Sequence, residues 1–262
     1  MSLATASVLV LSALAVGACA NNSSTATRTS NATGSALPRE SLLLNPAHPE
    51  WKKPAPPVSH LRFETTKGVF TLELIRANGP IGADRLYNLA RLGYYNDTRF
   101  HRVNKNYIAQ FGLHGNPAVN EAWKEQYLTD DAPRSHNVRG TFAFSFKAIK
   151  DTRNTQIYIN LADNPKNDVE AFTVLGSVIE GMSVLDSLYS GYGENSGSGV
   201  RQGKQGPLAS GGNAFIDREF PLLDRIRRVT VVIVKKSAKN QGIHQGFRPH
   251  NCVSEVANGG QL

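Results

Sequence analysis

The chain has 262 residues, 40% of them hydrophobic, with a formal net charge of +8. That length allows one large or two small globular domains, and with no run of five basic residues the charge reads as a basic exterior, so no nucleic-acid partner is expected. Two cysteines, Cys19 and Cys252, and seven histidines with no helical ligand spacing exclude a disulfide framework and a cysteine metal site in the mature domain; no metal and no cofactor is expected.

Residues 7–18, SVLVLSALAVGA, are almost wholly apolar. A membrane-spanning helix takes about 20 such residues, so the run fits the apolar region of an export signal over 1–20. It ends in Val16-Gly17-Ala18-Cys19, which resembles a bacterial lipobox with Cys19 as the lipidated residue, although no Lys or Arg precedes it. The expectation is an exported protein, periplasmic or held at a membrane as a lipoprotein through Cys19, alternatively secreted. Asn21 to Gly34 is rich in Ser, Thr and Asn and cannot bury a core. Asn21, Asn22, Asn31 and Asn96 each begin a glycosylation sequon. Five prolines between 45 and 57 oppose helix and sheet. A linker is therefore predicted over 21–58, a folded domain over 59–236 and a polar tail over 237–262.

Within the domain, Leu61 to Thr65 and the alternating Phe70, Leu72 and Leu74 predict a hairpin turned at Gly68. Pro80 opens a helix at its favoured first position, with Leu86, Leu89, Ala90 and Gly93 on one face. Further strands are predicted over 98–103, 107–111, 141–146, 156–161, 173–179 and 229–234, with a short helix over 182–188 after Gly181. His114 to Val138 and the Gly- and Ser-rich 188–212 read as long loops. A GYGENS stretch within the latter follows a helix, not a strand, and lacks the third glycine, so it is no dinucleotide fingerprint. Many short strands with two good helices predict a mainly β domain, a closed barrel.

Three blocks then carry a resemblance. Phe100-His101-Arg102-Val103 precedes Tyr107-Ile108-Ala109-Gln110-Phe111-Gly112; Thr155 to Leu161 follows; Phe172 leads through Gly176 to Glu180-Gly181-Met182. In order and spacing they resemble the cyclophilin family of peptidyl-prolyl cis/trans isomerases, from about Leu61 to Val234. The resemblance implies a closed eight-stranded antiparallel barrel capped by two helices, acting on proline-containing polypeptides and assisting the folding of exported proteins, with a monomer expected. The alternative is a module that binds proline peptides without turning them over.

By the same resemblance Arg102 is the catalytic residue. Tyr107, Ile108, Tyr158 and Phe172 correspond to the walls of the proline pocket, Gln110 and Gln156 to glutamines that bind the substrate backbone, and Ser145 to a small residue of the groove. His101 is expected to pack and hydrogen-bond inside the fold. Phe111 stands where the family usually has glycine and is expected to narrow the pocket or reshape its backbone. Lys166 and Asn167 stand where many members carry bulky apolar residues, which predicts weak cyclosporin binding.

Overall fold

The computed structural model describes residues 39–147, 149–170, 172–197 and 205–233. Cys19, the apolar run before it, Asn21, Asn22, Asn31 and the tail after 236 lie outside them. The hairpin forms where alternation predicted it. Strand β1 (Val58–Thr65) pairs with β2 (Val69–Ile75) in antiparallel register from Val58 opposite Ile75 to Glu64 opposite Val69. Alternate residues Leu61 and Phe63 face the core and are fully buried. Gly68, at φ 132°, makes the turn.

The remaining strands are β3 (Thr98–Arg99), β4 (Arg102–Val103), β5 (Ile108–Phe111), β6 (Thr141–Phe144), β7 (Ile157–Asn160), β8 (Val174–Glu180) and β9 (Arg225–Ile233). All belong to one sheet in the order β3-β9-β1-β2-β8-β6-β7-β5-β4. The predicted strand 98–103 is thus two segments, which lie at opposite ends of that order although only Phe100 and His101 separate them. Successive residues of a strand face opposite sides, but Phe100 and His101 are both fully buried, and the Phe100 N–H goes to Asp224 O at 2.9 Å. Where a closed eight-stranded barrel is expected, the described residues form one curled antiparallel sheet of nine segments, with no ladder among them joining β3 to β4.

Helix α2 (Pro80–Arg91) starts at Pro80 as predicted and buries Leu86, Leu89 and Ala90. Its first turn is held by Asp131, whose carboxylate accepts from the backbone N–H of Ile81 (3.0 Å) and Gly82 (2.8 Å). Arg153, 1% exposed, bonds to both Asp130 and Asp131, so the buried carboxylates are paired. Helix α4 (Met182–Asp186) follows Gly181 as expected.

Two predicted loops contain helices. α3 (Pro117–Trp123) lies within 114–138, capped by the Asn116 side chain on the Ala118 N–H. α5 (Gln205–Glu219) fills the end of the Gly-rich stretch and is kinked at Gly212. The predicted linker also differs. Residues 39–57 hold a short helix, α1 (Arg39–Leu43), and a 3-10 turn, Pro49–Lys52, and they bury Leu43, Trp51 and Ala55 in the core. The Trp51 ring meets Trp123 edge-on at 4.8 Å, and Trp123 Nε1 donates to Leu43 O. The prolines exclude neither a helical turn, since Pro49 opens the 3-10 turn, nor apolar burial.

Candidate functional site

Register places the site. Arg102 on β4 lies opposite Gln110 on β5, Gln110 opposite Tyr158 on β7, and Tyr158 opposite Ala143 on β6. Directly opposed residues share a face, so these four form one row across four strands. Two residues along on the same face come Ile108 on one side, and Gln156 and Ser145 on the other. Ser145 N donates to Gln156 O at 2.8 Å, continuing the ladder past the ends of β6 and β7. Six of the predicted site residues thus stand on one surface because of the two-residue period of strands.

The middle of this surface is apolar. Ile108, Ala143 and Tyr158 are buried in a cluster separate from the main core, with half-buried Tyr107 and Phe172 against them. The Phe172 ring meets Tyr158 edge-on at 5.3 Å and Phe146 at 4.6 Å. The other face of β5 points inward: Ala109 and Phe111 belong to the main core. Phe111 is fully buried, edge-on to Phe63, Tyr95 and Phe100 at 5.3–5.6 Å. It therefore does not narrow the pocket. The next residue, Gly112, has φ 114°, and a Cβ there would fall 2.5 Å from Thr155 O, so only glycine allows the two strands to close up.

Polar groups flank the apolar patch on two sides. Arg102 lies over the Tyr107 ring, its Cζ 5.4 Å from the centroid. Arginine only donates, which orients the amides beyond it. Arg102 Nη1 donates to Gln110 Oε1 (3.2 Å), Gln110 Nε2 to Gln156 Oε1 (2.7 Å), and Gln156 Nε2 to Gln205 Oε1 (2.9 Å). The Nε and Nη2 edge of the guanidinium is gripped by Glu194, at 2.9–3.0 Å. Across the patch, Tyr107 Oη donates to Asn167 Oδ1 (3.1 Å), Asn167 Nδ2 to Tyr158 Oη (3.4 Å), and Tyr158 Oη to Asn137 Oδ1 (2.7 Å). Burial pushes the Tyr158 phenol well above its ordinary value, which keeps it a donor. Beyond Gln156 lies a cavity of about 270 Å³ whose lining includes Gln205, Lys147 and Trp123.

His101 is fully buried, as expected, but neither ring nitrogen has a hydrogen-bond partner among the described residues. Burial, then the neighbouring Arg102 charge, lowers it to about 3, so the ring is neutral. Glu194, Gln205, Asn137 and Phe146 are site neighbours that sequence reading missed. Glu194 lies 92 residues from Arg102, and no local pattern marks such a pairing.

A family model described as cyclophilin type peptidyl-prolyl cis-trans isomerase/CLD matches residues 60–205. Peptidyl-prolyl cis-trans isomerase A of Dickeya dadantii is 28% identical over 143 residues, 53% of this chain and 75% of the relative. A peptidyl-prolyl cis-trans isomerase of Helicobacter pylori is 31% identical over 136 residues, 51% of this chain and 82% of the relative. The crystal structure of a cyclophilin type peptidyl-prolyl cis-trans isomerase of Cryptosporidium parvum matches the fold with TM-score 0.50 at 20% identity, covering 68% of this chain and 99% of that one.

Proposed function

This chain belongs to the cyclophilin family and is a peptidyl-prolyl cis-trans isomerase, and on that premise we propose that Arg102 is its catalytic residue and that the row Arg102, Gln110, Tyr158 and Ala143 is the floor of its substrate groove. The X-Pro bond is stiffened by resonance, with a barrier of about 18–20 kcal/mol. In the twisted transition state the prolyl nitrogen regains its lone pair. A catalyst accelerates the turn only by holding that twisted form better than either planar one, each 1.36 kcal/mol of preference giving about tenfold. An acceleration of about 10⁵ needs roughly 7 kcal/mol.

The observation that carries the assignment is a guanidinium held by Glu194 and Gln110 at the edge of a separate apolar cluster, Ile108, Ala143 and Tyr158 with Tyr107 and Phe172 against it. Ile108, Tyr158 and Phe172, with Tyr107 beside the guanidinium, wall the proline ring. Arg102 donates to the nitrogen as its lone pair emerges, and the Gln110 and Gln156 amides, with Ser145 at the end of the groove, take the substrate backbone. The neutral, enclosed His101 transfers no proton. The apolar run ending at Cys19 supports an exported enzyme that assists folding of exported proteins, tethered through a lipid on Cys19 or secreted; mass spectrometry of the mature N-terminus tests this.

The decisive comparison is wild type against Arg102→Ala and Arg102→Lys in an X-Pro isomerisation assay with peptide binding measured in parallel. The expected result is retained binding with isomerisation abolished in the alanine variant and poorly restored by lysine, which lacks the planar fork. Full turnover by Arg102→Ala would falsify the assignment. Wild-type binding without acceleration would leave a proline-peptide binding module instead.

A further inference from the structure

We propose that Glu194 is a positioning residue for Arg102: its carboxylate fixes the guanidinium so that the terminal edge alone faces the substrate, an inference that rests on Arg102 being catalytic. A guanidinium has five N–H donors in one plane. The Nε–H and one Nη2–H go to the Glu194 carboxylate, at 3.0 and 2.9 Å to Oε1 and 2.9 Å from Nε to Oε2. One Nη1–H goes to Gln110 Oε1, and the Tyr107 ring lies against the guanidinium. One N–H on each of Nη1 and Nη2 remains, and that of Nη2 lies at the far end of the fork, because its other N–H shares the Glu194 carboxylate with Nε. The side edge is clamped and the donating edge is left open.

The clamp is built, not a loose surface pair. Exposed ion pairs between long side chains add little because holding both ends costs rotamer freedom. Here Arg102 is 15% exposed and Glu194 35%, and the contact is bidentate. The segment that carries Glu194 is tied to the fold at Tyr189 and turned on itself by two local backbone bonds. Tyr189 N donates to Asp224 Oδ2 at 2.7 Å, Gly193 N to Ser190 O at 3.0 Å, and Asn195 N to Tyr192 O at 2.8 Å. The rings of Tyr189, Tyr192 and Phe220 pack edge-on in series. Gly197, at φ 151°, then lies against the backbone of His101, the residue before Arg102: a Cβ there would fall 2.7 Å from His101 O. Gln205, the first residue of α5, accepts from Gln156 and donates to Gly197 O. Glu194 and Gln205 thus stand at the two ends of the donor chain that begins at Arg102.

A carboxylate that competed with substrate would sit on the terminal edge of the fork. Glu194 sits on the side edge, and this geometry favours alignment over blockade. Isomerisation depends on a donor held where the lone pair appears, so loss of the clamp acts on turnover rather than on binding.

The test measures kcat and KM for one X-Pro peptide with wild type, Glu194→Ala, Glu194→Gln and Arg102→Ala, with urea midpoints and the ¹⁵N signal of the Arg102 Nε–H. Glu194→Ala is expected to lower kcat by about 10- to 100-fold, the cost of a misaligned catalytic group, with KM little changed. Glu194→Gln, which keeps one acceptor oxygen, recovers part of that loss. The Nε–H exchanges slowly with water in wild type and rapidly in Glu194→Ala, at an unchanged urea midpoint. If Glu194→Ala keeps or raises kcat/KM while Arg102→Ala is inactive, the clamp is refuted and the catalytic assignment stands. If Arg102→Ala is active, the assignment of Arg102 fails first. A loss of kcat that follows a lowered urea midpoint, with the Nε–H signal unchanged, shows a merely structural role and also overturns the proposal.

Discussion

Replacing Phe111 by alanine separates the two faces of β5. The Phe111 side chain is fully buried and meets three aromatic rings edge-on, those of Phe63, Tyr95 and Phe100. Truncating a buried phenylalanine costs about 3–5 kcal/mol through lost transfer energy and the cavity left behind. Each ring contact adds about 0.5–1.5 kcal/mol beyond its buried area, which puts this site near the upper end. With a urea m-value of about 2 kcal/mol/M, the unfolding midpoint falls by roughly 2 M. The groove lies on the opposite face, so kcat/KM, measured in the cold where the variant is fully folded, stays within about threefold of wild type. Ile108→Ala, three residues earlier on the groove face, gives the opposite pattern, with KM for an X-Pro peptide raised about tenfold. A Phe111→Ala midpoint shift below about 0.5 M, or a kcat/KM loss of tenfold or more in the folded variant, would show that the facing of β5 has been misread.

Other consequences concern the rim, the buried histidine and the N-terminal segment. Asn167, bonded to Tyr107 and Tyr158, and exposed Lys166 replace apolar contacts, so cyclosporin should bind at least about tenfold more weakly than to a relative with apolar residues there, a loss of about 1.4 kcal/mol; equal affinity in a calorimetric titration refutes this. His101 is lowered to about 3 from an ordinary 6.5, so between those values the unfolded chain holds the extra proton and stability rises with pH. Its contribution is present above pH 6.5 and is lost as pH falls towards 3. At pH 5.0 the loss from this residue is (6.5 − 5.0) × 1.36, about 2 kcal/mol. His101→Gln should therefore flatten the dependence of urea stability on pH between 7.5 and 5.0, and an unchanged slope counts against the buried neutral ring. Trp51 is 5% exposed, edge-on to Trp123, and donates to Leu42 O and Asn45 O. Trp51→Ala should cost about 3–5 kcal/mol, and a chain starting at Ser59 should unfold at a lower urea concentration than one starting at Leu37; equal midpoints would show the segment to be dispensable.

Much of the fold is written in short-range pattern. Alternation marked the β1–β2 hairpin, Pro80 marked the start of α2, and three motif blocks carried the family. The Asn116-Pro117 pair before α3 was a legible start signal, whereas α5 contains Gly206, Gly211 and Gly212, each costing about 1 kcal/mol of helix propensity, so its stretch reads as loop until packing overrides it. The candidate site residues came from the resemblance of the motif blocks; periodicity adds that residues two apart on a strand share a face, so Ile108 and Gln110 had to stand together. Whether that face was groove or core, and hence that Phe111 points inward, depended on what β5 packs against. The meeting of Glu194 with Arg102 across 92 residues, the reach of Gln205 to Gln156 and the seating of Trp51 on Trp123 were likewise decided only by the tertiary structure. Propensity and periodicity act over a few neighbouring residues, whereas these contacts exist because the whole chain has folded back on itself.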